Sequence, residues 1–162
     1  MLIVLFAIIA FVVAADQVTK AVIFEHDMPL INGVVRFAST KNTGVAWGIL
    51  NGVKGSTIIL SVLTALVIAA MIFLMIKYRK DLPWIVGVPF AAVTGGAIGN
   101  LIDRVFLGYV RDFIATEFID FPVFNVADCF VTCGGIFFVI VLFFTKPGKA
   151  FTNVVFPENG KK

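Results

Sequence analysis

Asp112 and Asp128 are two carboxylates in a chain with few other means of activating water. His26 is the only histidine, and Cys129 and Cys133 are the only cysteines. A Ser-His pair has no obvious members, and an imidazole-rich metal site cannot be assembled. A pair of carboxylates is the remaining general acid–base device. Two close carboxylates cannot both ionise easily, so one pKa rises and the other stays low. One then takes a proton from water while the other donates a hydrogen bond to a scissile carbonyl. No metal or other cofactor is expected. The spacing permits this pairing without demanding it, since the chain after Asp112 can fold back over the start of a helix that carries Asp128.

Other polar residues fall at the same level. GGAIGNLIDR (95–104) follows a long apolar run yet ends in Asn100, Asp103 and Arg104. Helical neighbours are three or four apart, so Asn100 shares a face with Asp103 and Arg104, Asp16 with Lys20, and Asn125 with Asp128. Charges within a membrane cost at least ~2.5–3.5 kcal/mol at mid-bilayer and usually face the interior, pair and carry function. Read singly, Asp103–Arg104 and Asp16–Lys20 can be structural ion pairs. Read together, they form one polar layer.

The elements that must hold this layer are membrane spans. The chain has 162 residues, 60% of them hydrophobic, with a mean hydropathy of +1.03. Soluble domains are nearer half apolar, and a span needs about 20 apolar residues. Four segments qualify, at about 1–23, 56–76, 84–104 and 123–145. The expected fold is an all-α membrane protein, a single domain over 1–162 built as a four-transmembrane-helix bundle. The first segment lacks the positive n-region of a cleavable signal peptide and reads as a span. Lys77, Arg79 and Lys80 lie between spans two and three, and Lys146, Lys149, Lys161 and Lys162 follow span four. This bias puts both termini in the cytoplasm and the polar layer near the extracytoplasmic face. The net charge of +3 reflects these flanks and gives no reason to expect nucleic acid as a partner.

The outer loops carry their own signals. Asn32-Gly33 between short apolar runs predicts a type I′ hairpin, and Asn42-Thr43-Gly44 a second turn. A small β element is therefore expected over about 28–50, with a further strand possible from 105–122. Gly95 and Gly99, a G-x-x-x-G pair, read as a close helix contact. Cys129 and Cys133 read as small buried residues, and His26 as a surface residue.

At these residues the chain resembles the lipoprotein signal peptidases, the bacterial signal peptidase II family of membrane aspartic proteases. The resemblance rests on DQVTK (16–20), NTGVAWG (42–48), GGAIGNLIDR (95–104), VRDF (110–113) and FNVADC (124–129), in the family's order and across nearly the whole chain. It implies that Asp112 and Asp128 are the catalytic dyad. It implies that Asp16, Asn42, Asn100, Arg104 and Asn125 are functionally important polar residues, with Asp103 supporting. It also implies an extracytoplasmic β-cradle. The implied substrates are diacylglyceryl-modified prolipoproteins, cut just before the modified cysteine by a monomer in contact with membrane lipid in the bacterial cytoplasmic membrane. Trp47 stands where phenylalanine is common, and Cys129 where serine is common. The alternative from the residues alone is a small proton-coupled transporter or channel subunit with an acidic relay. Such proteins often show repeated halves, and this chain has none.

Overall fold

The computed structural model describes residues 1–44, 49–50 and 52–157. Trp47, Lys161, Lys162 and the part of the outer β element at 45–48 lie outside the described residues. The elements are α1 (Leu2–Ile23), β1 (Met28–Ile31), β2 (Val35–Asn42), α2 (Ser56–Lys77), α3 (Trp84–Leu107), β3 (Val110–Thr116), α4 (Val126–Phe144) and α5 (Lys146–Val155). Helices α1 to α4 are long and apolar enough to cross a membrane.

Their apolar residues have no single hydrophilic face because the surroundings are lipid, so packing rather than polarity arranges them. Helix α3 is central. Half of its most apolar window is buried, against 22% for α1 and 11% for α2 and α4. Small residues explain why. A Cβ added at Gly96 would lie 2.6 Å from the Ala127 carbonyl oxygen of α4, and one at Gly99 would lie 2.5 Å from Asp16 Oδ2 of α1. Both neighbours need the space that glycine leaves. Toward the other end of the bundle, Leu5, Ile9, Met75, Leu82, Val86, Ala91 and Val141 form the buried apolar core. Helix α3 extends three residues beyond the expected end and stops at Gly108, whose φ of 80° closes it in the left-handed conformation.

The connections between α1 and α2 and between α3 and α4 form an antiparallel sheet in the order β1-β2-β3. Strand β3 comes from the connection between α3 and α4 and pairs Asp112 with Thr40 and Val110 with Asn42. The β1–β2 turn is not type I′, which needs positive φ at both central residues. Among the described residues near this turn only Gly33 has positive φ, at 72°. Val34 N donates to Ile31 O at 3.0 Å, and Gly33 N donates to Glu117 Oε2 at 2.9 Å. The contact with Glu117, beyond the end of β3, ties the turn to the rest of the sheet.

One helix was not expected. The tail after span four folds into α5, started by Thr145, whose Oγ1 accepts from Gly148 N at 3.1 Å. It packs against α4 and α3. The cysteines also differ from expectation. Cys129 and Cys133 are exposed, because their face of α4 turns toward an open cleft instead of a neighbouring helix.

Candidate active site

The site is built where α4 begins. Asn125 is the N-cap, its Oδ1 accepting from Asp128 N at 2.9 Å, while Asp128 Oδ2 accepts from Asn125 N at 3.1 Å. This is a reciprocal capping box, made possible by a carboxylate three residues after an asparagine. Just upstream, Phe124 bridges Ile114 of β3: Ile114 N donates to Phe124 O at 2.8 Å, and Phe124 N to Ile114 O at 3.0 Å. That bridge brings the strand carrying Asp112 beside the chain entering α4.

Asn125 therefore reaches both aspartates. Its Nδ2 donates to Asp112 Oδ1 at 2.7 Å. The other oxygen of Asp112 accepts from Asn42 Nδ2 at 2.9 Å, and Asn42 is held by Gly44 N, which donates to its Oδ1 at 2.9 Å. Asp112 is only 2% exposed. Burial, and after it the charge of Asp128, pushes its carboxyl up to about 7, while the bonds from Asn42 and Asn125 pull the other way.

Asn100 holds the other side. Its Nδ2 donates to Asp128 Oδ1 at 2.8 Å. Its Oδ1 accepts from Lys20 Nζ and from Asn125 Nδ2, each at 3.0 Å. Lysine only donates, so Lys20, together with the Asn125 amide nitrogen, fixes which end of the Asn100 amide faces Asp128.

Behind this lies a buried ionic layer. Lys20 Nζ is 2.8 Å from Asp16 Oδ2 and 3.3 Å from Asp103 Oδ2. Arg111 clasps Asp103 through its backbone N (2.9 Å), Nε (3.2 Å) and Nη2 (2.8 Å). That bond raises the Arg111 guanidinium above its usual value. Gln17 joins the group, donating to Asp16, Gly99 O and Asp103 and accepting from Arg111. Asp16 Oδ1 accepts from Ala127 N at 3.0 Å, so an α1 carboxylate caps a free N–H in the first turn of α4.

Asp112, Asp128, Asn42, Asn100 and Arg104 line one cleft of about 710 Å³, with Val110, Phe121, Phe124 and Val131 among its apolar walls. Asn125 bridges the two carboxylates from beneath. Asp16, on α1, and Asp103, on α3, meet at Lys20 instead and do not line the cleft. The expected Asp103–Arg104 pair is absent among the described residues. Adjacent helical residues diverge by about 100°, so Asp103 meets Lys20 and Arg111 while Arg104 turns to the cleft and donates to Gly44 O at 3.2 Å. Arg104 Nε is buried without a hydrogen-bond partner among the described residues. Sequence reasoning missed Arg111 and Gln17 and took Lys20 as a simple partner of Asp16. A lysine one turn after an aspartate inside an oily helix was the available signal for Lys20.

A family model described as signal peptidase (SPase) II matches residues 8–144. The chain belongs to the signal peptidase II family. It is a peptidase of the aspartic class. A relative called lipoprotein signal peptidase, from Enterococcus faecalis, is 39% identical over 163 residues, 94% of this chain and 98% of the relative. One of the same name from Geobacillus kaustophilus is 39% identical over 150 residues, 88% of this chain and 95% of the relative. Two solved structures, described as bacterial membrane enzymes studied by the in meso method, share the fold. One, at 2.3 Å resolution, has a TM-score of 0.75 at 30% identity and covers 98% of this chain and 94% of its own. The other, at 1.9 Å, has a TM-score of 0.77 at 31% identity and covers 88% and 94%. For a signal peptidase II, the four helices make this a multi-pass bacterial membrane protein.

Proposed function

We propose that this signal peptidase removes signal peptides from prolipoproteins by cutting before the diacylglyceryl-modified cysteine, with Asp112 and Asp128 as the acid–base pair. The observation that carries the reading is the single residue Asn125, which donates to both carboxylates, from Nδ2 to Asp112 and from its backbone N to Asp128, where they share a cleft. Asp112 holds the proton and Asp128 accepts one. Asp128 takes a proton from water, and the water oxygen bonds to the scissile carbonyl carbon. Asp112 gives its proton to the carbonyl oxygen. The tetrahedral species then collapses: the C–N bond breaks, the amine leaves with a proton from the dyad, and the carboxyl product forms. Arg104 and Asn42 line the same cleft and hold the peptide backbone. The apolar walls hold the signal helix and the lipid tails, which arrive through the bilayer.

The enzyme acts as a monomer in the cytoplasmic membrane, with both termini in the cytoplasm and the cleft near the extracytoplasmic face. The cluster of lysines and arginine at the α2–α3 turn and after α4 supports that orientation. The test is a gel-shift cleavage assay on a diacylglyceryl-modified prolipoprotein. Asp112→Asn and Asp128→Asn should each insert and fold yet fail to cleave, and substantial turnover by either refutes the assignment.

A further inference from the structure

At the end of the bundle away from the cleft lies an apolar pocket of about 280 Å³. Its walls come from four helices and include Met75, Tyr78, Val86, Phe138, Phe151 and Val155. Val86 lies about 27 Å along α3 from Arg104 at 1.5 Å per residue, so this pocket and the cleft are separate. The wall offers water almost nothing to bond, since Thr152 already donates its hydroxyl to Gly148 O at 3.0 Å. An apolar wall of this kind takes apolar ligands.

The mouth is basic. Lys77, Arg79 and Lys80 surround Tyr78 in the turn from α2 to α3, where Asp81 is the one acid. Lys77 Nζ stands 5.0 Å from the Tyr78 ring centroid. Lys149 precedes Thr152 by one turn on α5, on the same stripe as that wall residue. All four cations are exposed. An apolar slot bordered in the chain by exposed cations complements an anion with a hydrocarbon tail, such as an anionic membrane lipid.

We propose that this pocket binds one acyl chain of an anionic phospholipid, with the lipid phosphate held by Lys77, Arg79, Lys80 and Lys149. The lipid then mortars α5 to the bundle. A zwitterionic lipid brings the same tail but presents a cation of its own to the rim. A signal peptide is a poor occupant, because its positive n-region would meet four like charges. The site is independent of the cleavage chemistry.

The test uses the full-length protein, purified in detergent and delipidated, titrated with phosphatidylglycerol or phosphatidylcholine of identical chains. Native mass spectrometry reads binding, and thermal unfolding reads stabilisation. Phosphatidylglycerol should bind at least about tenfold more tightly than phosphatidylcholine and raise the melting temperature more. The surface variant Arg79→Gln/Lys80→Gln/Lys149→Gln should lose that preference while retaining parental circular dichroism and prolipoprotein cleavage. Val155→Trp, which fills the pocket, should remove binding of both lipids. Equal binding of the two lipids by the parent overturns the proposal. A preference that survives the triple substitution also overturns it, as does lipid binding unchanged by Val155→Trp. Should Val155→Trp fail to fold, the triple variant decides alone.

Discussion

Asn125 and Asp128 hydrogen-bond each other twice, side chain to backbone in each direction, at 2.9 and 3.1 Å. The residue that starts α4 is thus also the one that reaches Asp112. Capping and positioning can be separated by substitution. Serine caps a helix about as well as asparagine, but it has no Nδ2 to donate to Asp112 and Asn100. Asn125→Ser should therefore keep its melting temperature within a few degrees of the parent, while turnover falls at least about a hundredfold. A parental rate in that variant would show that Asn125 serves α4 alone.

The Asp112 carboxyl, pushed up to about 7 by burial and by Asp128, gives two pH effects. As the proton donor it is competent only below that value, so kcat/KM should fall as pH rises through about 7. Asn42 stabilises the ionised form by donating to Oδ2. Asn42→Ala should thus move the falling limb of its residual activity to higher pH. The second effect is on stability. The folded state binds this proton more tightly than the unfolded chain, whose carboxyl titrates near 4, so rising pH between about 4 and 7 costs the parent stability. Asp112→Asn lacks this group. Its melting temperature should therefore gain on the parent's across that window, and a constant difference would mean that Asp112 titrates normally.

The spans were legible because hydropathy alone marks them, and their bounds moved by only a few residues. Helix α5 was not, since a short stretch that includes Lys146, Pro147 and Lys149 has no hydrophobic run and, beyond its Thr145 cap, gains its order by packing on α3 and α4. The β1–β2 hairpin was legible from Asn32-Gly33, but not its turn type, which the contact with Glu117 helps to set from eighty-four residues away. Asp112 and Asp128 could be named as chemical groups, yet their shared cleft depends on the Ile114–Phe124 bridge, which no local pattern announces. The partners of Asp103 were misread because Arg104 is adjacent in sequence and nearly perpendicular in space. Lys20 and Arg111 come from α1 and β3, so only the tertiary fold brings them to that carboxylate.

Orientation has a direct measure. In a Cys129→Ala/Cys133→Ala background, a cysteine placed at Lys80 should resist an impermeant thiol reagent in intact cells and react after lysis. A cysteine at Lys54, in the first outer loop, should react in intact cells. The reverse pattern would put the cleft on the cytoplasmic side.

The Lys20 layer allows a quantitative prediction about buried charge. Lys20 and Asp16 have fully buried side chains 2.8 Å apart, and Asp103 lies 3.3 Å from the same ammonium. Removing one partner of such a pair typically costs about 3–5 kcal/mol, because the other charge is left uncompensated, whereas replacing both can be close to neutral. Lys20→Met leaves Asp16 and Asp103 facing each other, with Arg111 hydrogen-bonded to Asp103 and acting on Asp16 only at longer range. It also leaves Asn125 Nδ2 as the one remaining donor to Asn100 Oδ1, which loosens the amide that faces Asp128. Lys20→Met should therefore lower both the melting temperature and turnover. Adding Asp16→Asn should restore much of the stability, so that the double variant unfolds well above the sum of the single losses. Turnover should not return fully with it, because Asn100 Oδ1 has lost one of its two donors. Thermal unfolding and cleavage rates of the three detergent-purified variants give both readouts, and recovery of activity in step with stability would reduce Lys20 to an ion-pair partner.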